Sequence, residues 1–172
     1  GEERRSLTPV TEIPKVMKDA VLAIEDSRFY QHGGVDYVGV MRAAIANLGR
    51  TKSQGASTIT MQVARNVYLS SEKTYLRKIY EILLALKIES ALSKEKILEI
   101  YMNQIFLGHR AHGFAAASEV YFGKTLDKIS VAEAAMLAGL PQSGRWNPFR
   151  FPERAQARRN IVLKNMLENG YI

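Results

Sequence analysis

Two acidic residues in this chain lie in segments whose residue types could carry out a group-transfer reaction. Glu25 begins the segment EDSRFYQHGG, and Glu81 ends the segment RKIYE. A positioned carboxylate can accept or donate a proton, and cations held close together can stabilise a departing diphosphate. This combination indicates a glycosyl transfer in which a diphosphate leaves. The cations between these two acids that matter here are Arg65, Lys73, Arg77 and Lys78.

The spacing of three of these charged residues favours a common helix edge. Steps of four residues separate Lys73, Arg77 and Glu81, which places them along one side of any helix that they share. The run ILLALKI that follows Glu81 is apolar on nearly every side. It predicts a helix that enters a core, with its charged end at the mouth of a cleft. The alternative is a solvated helix face with ordinary charge pairs.

Length and composition indicate a globular domain with an anionic partner. A chain of 172 residues with 47% hydrophobic and 24% charged residues suits one domain with a real core, and this composition does not indicate disorder. The 24 Lys and Arg exceed the 17 Asp and Glu, giving a net charge of +7. Nucleic acid, a phosphorylated lipid and an anionic membrane surface all fit that charge.

The sequence excludes some covalent and membrane-spanning features. It contains no cysteine, so neither a disulfide nor a thiolate metal site can form. It has no run of about 18 apolar residues and no signal-peptide core. We expect that the chain is soluble or that a membrane anchor has been removed from it.

Helical periodicity dominates the sequence and predicts a mainly α fold. A first helix should deliver Glu25 at its C-terminal end, and the apolar spacing over residues 37–48 predicts a second helix. Ser57 is placed to cap a third helix that carries Gln62 and Arg65. Two longer helices are expected over residues 73–91 and 94–106. No alternating strand pattern is longer than a few residues.

The last third of the chain carries strong helix-boundary signals. Ser130 and Glu133 form a capping box for an alanine-rich helix that stops near Gly139. Pro152 is placed as the first residue of a final helix, which Asn169 and Gly170 should close.

Four ordered motifs give the chain a resemblance to a known family. The first contains Glu25, Asp26, Phe29, His32 and Gly34, and the second Gly55, Ser57, Thr58, Ile59, Thr60 and Gln62. The third contains Arg77, Lys78 and Glu81, and the fourth Lys94, Ile97, Leu98, Glu99, Tyr101, Asn103 and Gly108. From about residue 14 to 172 the chain resembles the peptidoglycan glycosyltransferase domain of class A penicillin-binding proteins and monofunctional glycosyltransferases, glycosyltransferase family 51.

Two residues depart from the pattern of that family. Met61 stands where the family usually has a second glutamine, which removes one polar contact, and Arg65 stands where many members have lysine. Arginine keeps the positive charge and adds a forked donor that suits phosphate oxygens. We therefore expect function to survive the arginine.

The resemblance implies a fold, a reaction and a location. The fold would be mainly α and lysozyme-like, with a larger helical lobe and a smaller membrane-facing lobe. Residues 1–172 would form one glycosyltransferase domain, excised from a longer membrane-anchored chain that can also carry a transpeptidase domain. The reaction would be polymerisation of lipid II into β-1,4-linked glycan strands with inversion and release of undecaprenyl diphosphate. The site of action would be the outer, periplasmic face of the bacterial cytoplasmic membrane.

The resemblance also implies roles for individual residues. Glu25 would be the general base, and the cations Arg65, Lys73, Arg77 and Lys78 would clamp the diphosphate. Glu81 could orient those cations, assist the leaving group, or hold a divalent ion such as Mg²⁺ or Mn²⁺; no cofactor is required and no metal site is firmly assigned. The remaining substrate-binding candidates, for the sugar or the diphosphate, are Asp26, Ser57 and Gln62.

Several of these residues also have structural interpretations. Glu25 could be a helix-end acid paired with Arg28, and Asp26 could orient its loop instead of touching the donor sugar. His32 is expected to fix the glycine turn that follows Glu25. The helix over residues 35–48 could lie at a membrane interface, or its apolar face could pack internally.

Three other functions compete with the glycosyltransferase. A lysozyme-like lytic enzyme would also use two carboxylates on a helical fold, but cleavage of a neutral sugar linkage expels no diphosphate and leaves the cations around Glu81 unexplained. A basic helical nucleic-acid-binding module fits the charge, but the chain has no groove-reading motif. A catalytically silent scaffold remains the third alternative.

Overall fold

The computed structural model describes residues 7–46, 57–67, 75–143 and 148–172, and it confirms the mainly α prediction. In these ranges the only β pairing is an isolated bridge between Phe106 and His112. None of the helices there is long and apolar enough to cross a bilayer. The described helices are α1 (Lys15–Glu25), α2 (Tyr37–Ala46), α3 (Ile59–Asn66), α4 (Tyr75–Ala91), α5 (Lys94–Gln104), α6 (Phe114–Phe122), α7 (Val131–Ala138) and α8 (Pro152–Glu168).

The helix-boundary signals in the last third of the chain act as predicted. Ser130 and Glu133 form a reciprocal capping box at the start of α7. Pro152 is the first residue of α8, where its missing N–H has no helical partner to lose. Asn169 caps the C-terminal end, and Gly170 follows with a φ of +77°. Side chains with a strong local preference set these boundaries.

The predicted cap of α3 is wrong by one residue. Thr58 caps the helix, because its Oγ1 accepts a hydrogen bond from Met61 N at 3.1 Å. The same hydroxyl donates to the carbonyl of Gly34 at 2.6 Å, a long-range bond that the sequence does not reveal. Ser57 lies just before the cap, and its hydroxyl contacts Arg65 and Lys78 instead.

The chain divides into two compact units, of which the first comprises residues 1–24 and 99–172. Its core contains the fully buried Met17 of α1 and Leu137 of α7. On α8, Val162 and Met166 are also fully buried, as expected for a helix packed on α7.

The second unit comprises residues 25–98 and contains the motifs around Glu25 and Glu81. Its helix α3 packs against α4. A small apolar cluster of Val35, Met61 and Ala85 lies in this unit, with Ile82 packed against it.

The prediction that α4 enters a core is wrong. Only Glu81 and Ala85 are buried on this helix, and large apolar side chains such as Ile79 and Leu83 are more than half exposed. The helix packs against α3 on one side, and within the described residues its opposite apolar side stays open. An apolar run shows that a helix can be buried, but the neighbouring elements determine whether it is buried.

Helix α2 also presents apolar side chains to solvent. It has no buried residue, and the side chains of Met41 and Ile45 are 64% and 65% exposed. The alternative in which this face packs internally is therefore wrong for both residues. The expected extension of the helix to residue 48 lies outside the described residues.

Candidate active site

Glu25 is the last residue of α1, as predicted, and its carboxylate reaches α3. Gln62 Nε2 donates a hydrogen bond to Glu25 Oε2 at 3.2 Å. The C-terminal end of a helix carries partial negative charge and does not stabilise a carboxylate. A side-chain donor such as Gln62 compensates for this and fixes the direction of the carboxylate.

The alternative that pairs Glu25 with Arg28 is not supported. Arg28 Nε donates to Asp36 Oδ1 at 3.1 Å, and the same oxygen accepts a bond from Gly39 N at the start of α2. Arg28 therefore supports the cap of α2.

Asp26 and His32 together fix the loop that follows Glu25. Gly34 N donates to His32 Nδ1 at 3.0 Å. Because a backbone N–H can only donate, Nδ1 is the acceptor and Nε2 carries the proton, which it donates to Asp26 Oδ2 at 2.7 Å. Ile59 N at the start of α3 donates to the same oxygen at 3.1 Å. The predicted role of His32 at the glycine turn is confirmed.

Asp26 is therefore an internal carboxylate of the loop. Its side chain is only 2% exposed, and a carboxylate at a helix N-terminus is favourably placed. This geometry favours the orienting role of Asp26 over contact with the donor sugar.

The cations near Glu81 converge on its buried carboxylate. Glu81 Oε1 accepts hydrogen bonds from Arg65 Nη2 at 2.9 Å and Lys78 Nζ at 3.2 Å. Glu81 Oε2 accepts a further bond from Arg65 Nε at 3.3 Å. The Glu81 side chain is 4% exposed, whereas both cations are roughly half exposed. Two cations thus cover one carboxylate and leave a net positive surface.

Ionisation of Glu81 is favoured by its partners. Burial by itself would raise the pKa of this carboxyl group. Hydrogen bonds and positive charge from Arg65, with those from Lys78, outweigh burial and hold the pKa of Glu81 below its ordinary value. Glu81 is therefore an anion at neutral pH and is poorly suited to donate a proton.

Ser57 joins the same cluster from the residue before the α3 cap. Its Oγ accepts hydrogen bonds from Arg65 Nη2 at 3.1 Å and Lys78 Nζ at 3.0 Å. A hydroxyl oxygen has two acceptor positions, and two cations use both. The hydroxyl proton then remains available as a donor to an anionic ligand.

Met61, the departure from the family pattern, lies behind this cluster. It is almost completely buried, and its Sδ lies 3.8 Å from Lys78 Nζ. Position 61 thus belongs to the small core of the second unit, where a thioether fills space beside the lysine stem.

Helix α3 brings the two halves of the candidate site together. Gln62, which contacts Glu25, and Arg65, which contacts Glu81, are three residues apart and lie on one side of this helix. Glu25 and the cation cluster therefore meet consecutive turns of the same helix. Sequence reasoning found the residues but not this connection, because the contacts join residues 37 and 16 positions apart.

Two other predicted cations have less defined positions. Arg77 is half buried on α4, one turn before Glu81. Lys73 lies outside the described residues. Their roles in a clamp stay predictions.

The described residues offer no dedicated metal site. No three His, Cys, Asp or Glu side chains within them are grouped to hold an ion. Both oxygens of Glu81 already face cations, so in this arrangement the residue does not fit a divalent metal.

Comparisons with known proteins identify the family. Residues 1–167 match the family model described as Transglycosylase. The chain is 58% identical over 95% of its length to a Cupriavidus necator protein that is provisionally named a transglycosylase, and it spans 71% of that protein. It is 57% identical over its full length to penicillin-binding protein 1A of Neisseria flavescens, of which it spans 22%.

A solved structure supports the same assignment. The fold matches the crystal structure of penicillin-binding protein 1A from Haemophilus influenzae with a TM-score of 0.55 and 27% identity, covering all of this chain and 16% of that one. The chain therefore belongs to the transglycosylase family, and the peptidoglycan glycosyltransferase class predicted from its four motifs is confirmed.

Proposed function

We propose that this chain polymerises lipid II into β-1,4-linked glycan strands with inversion and release of undecaprenyl diphosphate. The observation that carries the proposal is the pair of contacts on one side of α3, where Gln62 holds Glu25 and Arg65 holds Glu81. This arrangement offers a proton acceptor and a cation cluster one helical turn apart. The attacking sugar hydroxyl needs the proton acceptor, and the leaving diphosphate needs the cations.

Glu25 acts as the general base in this proposal. Its carboxylate takes the proton from the 4-hydroxyl of the acceptor sugar while that oxygen forms a bond to the anomeric carbon of the lipid-linked chain. The bond from this carbon to the diphosphate oxygen breaks, and the α configuration becomes β. Gln62 keeps one carboxylate oxygen in place during the transfer.

The cation cluster stabilises the departing diphosphate. Negative charge grows on the leaving oxygen, and preorganised donors at that point lower the barrier. Arg65 and Lys78 supply positive charge and Ser57 supplies a hydroxyl donor. Glu81 orients the two cations, and we include Arg77 and Lys73 as further members of the clamp.

Polymerisation of labelled lipid II by the wild-type chain tests the proposal. We expect glycan polymer and undecaprenyl diphosphate to accumulate together. A parallel incubation with purified glycan strands tests the lytic alternative. Released muropeptides without polymer from lipid II would replace the proposed function with hydrolysis.

The exposed face of α2 is proposed as the membrane contact that a lipid-linked substrate requires. Met41 and Ile45 lie one turn apart on it and are exposed, and an amphipathic helix with such a face binds in the plane of a bilayer interface. We further propose that the chain acts at the periplasmic face of the cytoplasmic membrane, as part of a longer anchored protein.

Aspartate substitutions on α2 test this membrane contact. Burial of a Met or Ile side chain contributes about 1.5 to 3 kcal/mol, so Met41→Asp and Ile45→Asp should each lower partitioning onto anionic liposomes by roughly tenfold or more. Flotation of the chain with the vesicles measures this. Leu167→Asp on α8 is the matched control, because Leu167 is 63% exposed in the other unit. Unchanged partitioning of both α2 variants would rule out α2 as the contact.

A further inference from the structure

A further, largely buried carboxylate, that of Glu89, connects α3, α4 and the start of α5. Its Oε1 accepts hydrogen bonds from Thr60 Oγ1 at 2.8 Å and from Lys94 Nζ at 2.7 Å. Thr60 is fully buried, and the side chains of Glu89 and Lys94 are largely buried. The hydroxyl and the ammonium group satisfy this carboxylate without a substrate.

Glu89 also lies behind the loop that follows Glu25. Lys94 Nζ lies 4.4 Å from the ring centroid of Phe29, a buried residue of that loop. A side chain built at Gly34 in the same loop would come within 3.1 Å of Glu89 Cγ. The Glu89 side chain therefore lies close to Gly34 in the loop that supports the general base, and its carboxylate contacts α3.

Helix α3 is consequently tied to α4 at two points. Thr60 near its start contacts Glu89, and Arg65 near its end contacts Glu81. The later residue of α3 meets the earlier residue of α4, so the two helices run in opposite directions. Gln62, the partner of Glu25, lies between the two ties.

The two ties differ in their exposure to a substrate. The tie through Arg65 uses a half-exposed cation, and under the proposed function a diphosphate competes with Glu81 for that cation. The tie through Thr60 uses a buried hydroxyl, which no substrate group reaches. Of the two ties to α4, the second is therefore the one that persists while the diphosphate is bound.

We propose that Glu89 is a positioning residue of the glycosyl transfer. It keeps the start of α3 on α4 and so keeps Gln62 against Glu25 when the diphosphate draws Arg65 away from Glu81. This inference rests on the proposed function for the arrival of a diphosphate, whereas the tie itself is a property of the free protein.

Kinetics of Glu89→Ala and of two Thr60 variants test this role with lipid II as substrate. A small displacement of a catalytic group can lower the rate by up to about 10²-fold, so Glu89→Ala should lower kcat at least tenfold and leave KM within about twofold. Thr60→Val, which removes the hydroxyl at similar size, should act in the same direction. Thr60→Ser restores a hydroxyl donor and should recover most of the kcat. Glu168→Ala, a change on the exposed end of α8, is the control and should have no effect.

A double variant separates positioning from general damage. If Glu89 acts through Gln62, the double variant Glu89→Ala with Gln62→Ala should be no slower than the slower single variant. A double variant whose loss of kcat is the product of the two single losses would overturn the proposal. So would an unchanged kcat in Glu89→Ala, or a change in its KM alone.

The variant Glu89→Gln keeps an acceptor for Thr60 and covers the case in which the alanine variant fails to fold. Its kcat should lie between that of wild type and that of Thr60→Val. A kcat for Glu89→Gln below that of Thr60→Val would count against the tie.

Hydrogen exchange provides a measurement that does not depend on activity. Amides of residues 58–66 should exchange faster in Glu89→Ala than in wild type, in the absence of any substrate. An inactive wild-type chain would reject the proposed function, while the exchange result would still decide whether Glu89 holds α3. Equal exchange in the two proteins would overturn the tie even in an active enzyme.

Discussion

Replacing Glu25 with glutamine is expected to abolish polymerisation of lipid II, with kcat falling by roughly 10² to 10⁴-fold. Glutamine has the size of glutamate and can keep a hydrogen bond with Gln62, but it cannot accept the proton of the acceptor hydroxyl. Labelled lipid II followed over time measures the loss. Circular dichroism should show an unchanged fold, since only one oxygen is exchanged for an amide nitrogen.

The loss in Glu25→Gln should be confined to chemistry. Binding of inorganic pyrophosphate should stay close to wild type, because Arg65 and Lys78 meet the next turn of α3 and do not depend on Glu25 for their contacts. Glu95→Gln is a suitable control in the same unit, where an exposed carboxylate accepts a bond from Tyr30 and glutamine can still accept it. Full activity in Glu25→Gln would end the assignment of Glu25 as the base.

Local signals in the sequence account for most helix boundaries. The capping box of Ser130 and Glu133 and the proline at the start of α8 act within a few residues, so their effects can be predicted without the fold. The cap of α3 could not, because Thr58 is selected partly by its bond to Gly34, 24 residues away. A long-range bond of this kind determines which of the two neighbouring residues, Ser57 or Thr58, caps the helix.

The predicted burial of α4 differs from the structure more than the predicted cap of α3 does. An apolar run is compatible with a helix in a protein core, a helix in contact with lipid and a helix that packs against another protein surface. The side of α4 opposite α3 exposes Leu83, whose side chain is 57% accessible. Periodicity cannot distinguish these cases, because it describes the helix and not its neighbours.

The sequence predicts which residues form the candidate site but not which contacts join them. Motif spacing identified Glu25 and Glu81 as the acids. The structure adds that α3 joins them through Gln62 and Arg65. The sequence does not indicate a role for Glu89, because its partners Thr60 and Lys94 are 29 residues before it and 5 after it. Neither spacing is one that places side chains together on a single helix.

Replacing Glu81 with glutamine is expected to impair polymerisation severely while leaving anion binding intact. Hydrogen bonds to a charged group contribute about 1.5 to 3 kcal/mol each, so loss of the carboxylate should lower kcat by roughly 10 to 10²-fold. Arg65 and Lys78 would lose the anion that fixes their directions. The cluster would also gain one net positive charge, so the affinity for inorganic pyrophosphate should be equal to or higher than that of wild type.

The acid dependence of stability provides an independent test of this ion cluster. Because the pKa of folded Glu81 is below its ordinary value of 4.5, ionisation of this group stabilises the native state above about that pH. The stabilisation is lost as the pH falls through the folded pKa. Melting temperatures measured from pH 7 downwards should therefore decline less steeply in Glu81→Gln than in wild type.

Glu133→Gln gives the matched control for Glu81→Gln. The Glu133 carboxylate also accepts a hydrogen bond from a lysine, Lys124, but it lies on the surface of the other unit. Its pKa is likewise lowered, by its bond to the Ser130 backbone and by Lys124. This variant should change acid stability without changing polymerisation. Wild-type kcat in Glu81→Gln would mean that Arg65 and Lys78 need no carboxylate to act on the diphosphate. Weaker pyrophosphate binding in Glu81→Gln would mean that orientation of the two cations, more than their net charge, determines how tightly the site holds its leaving group.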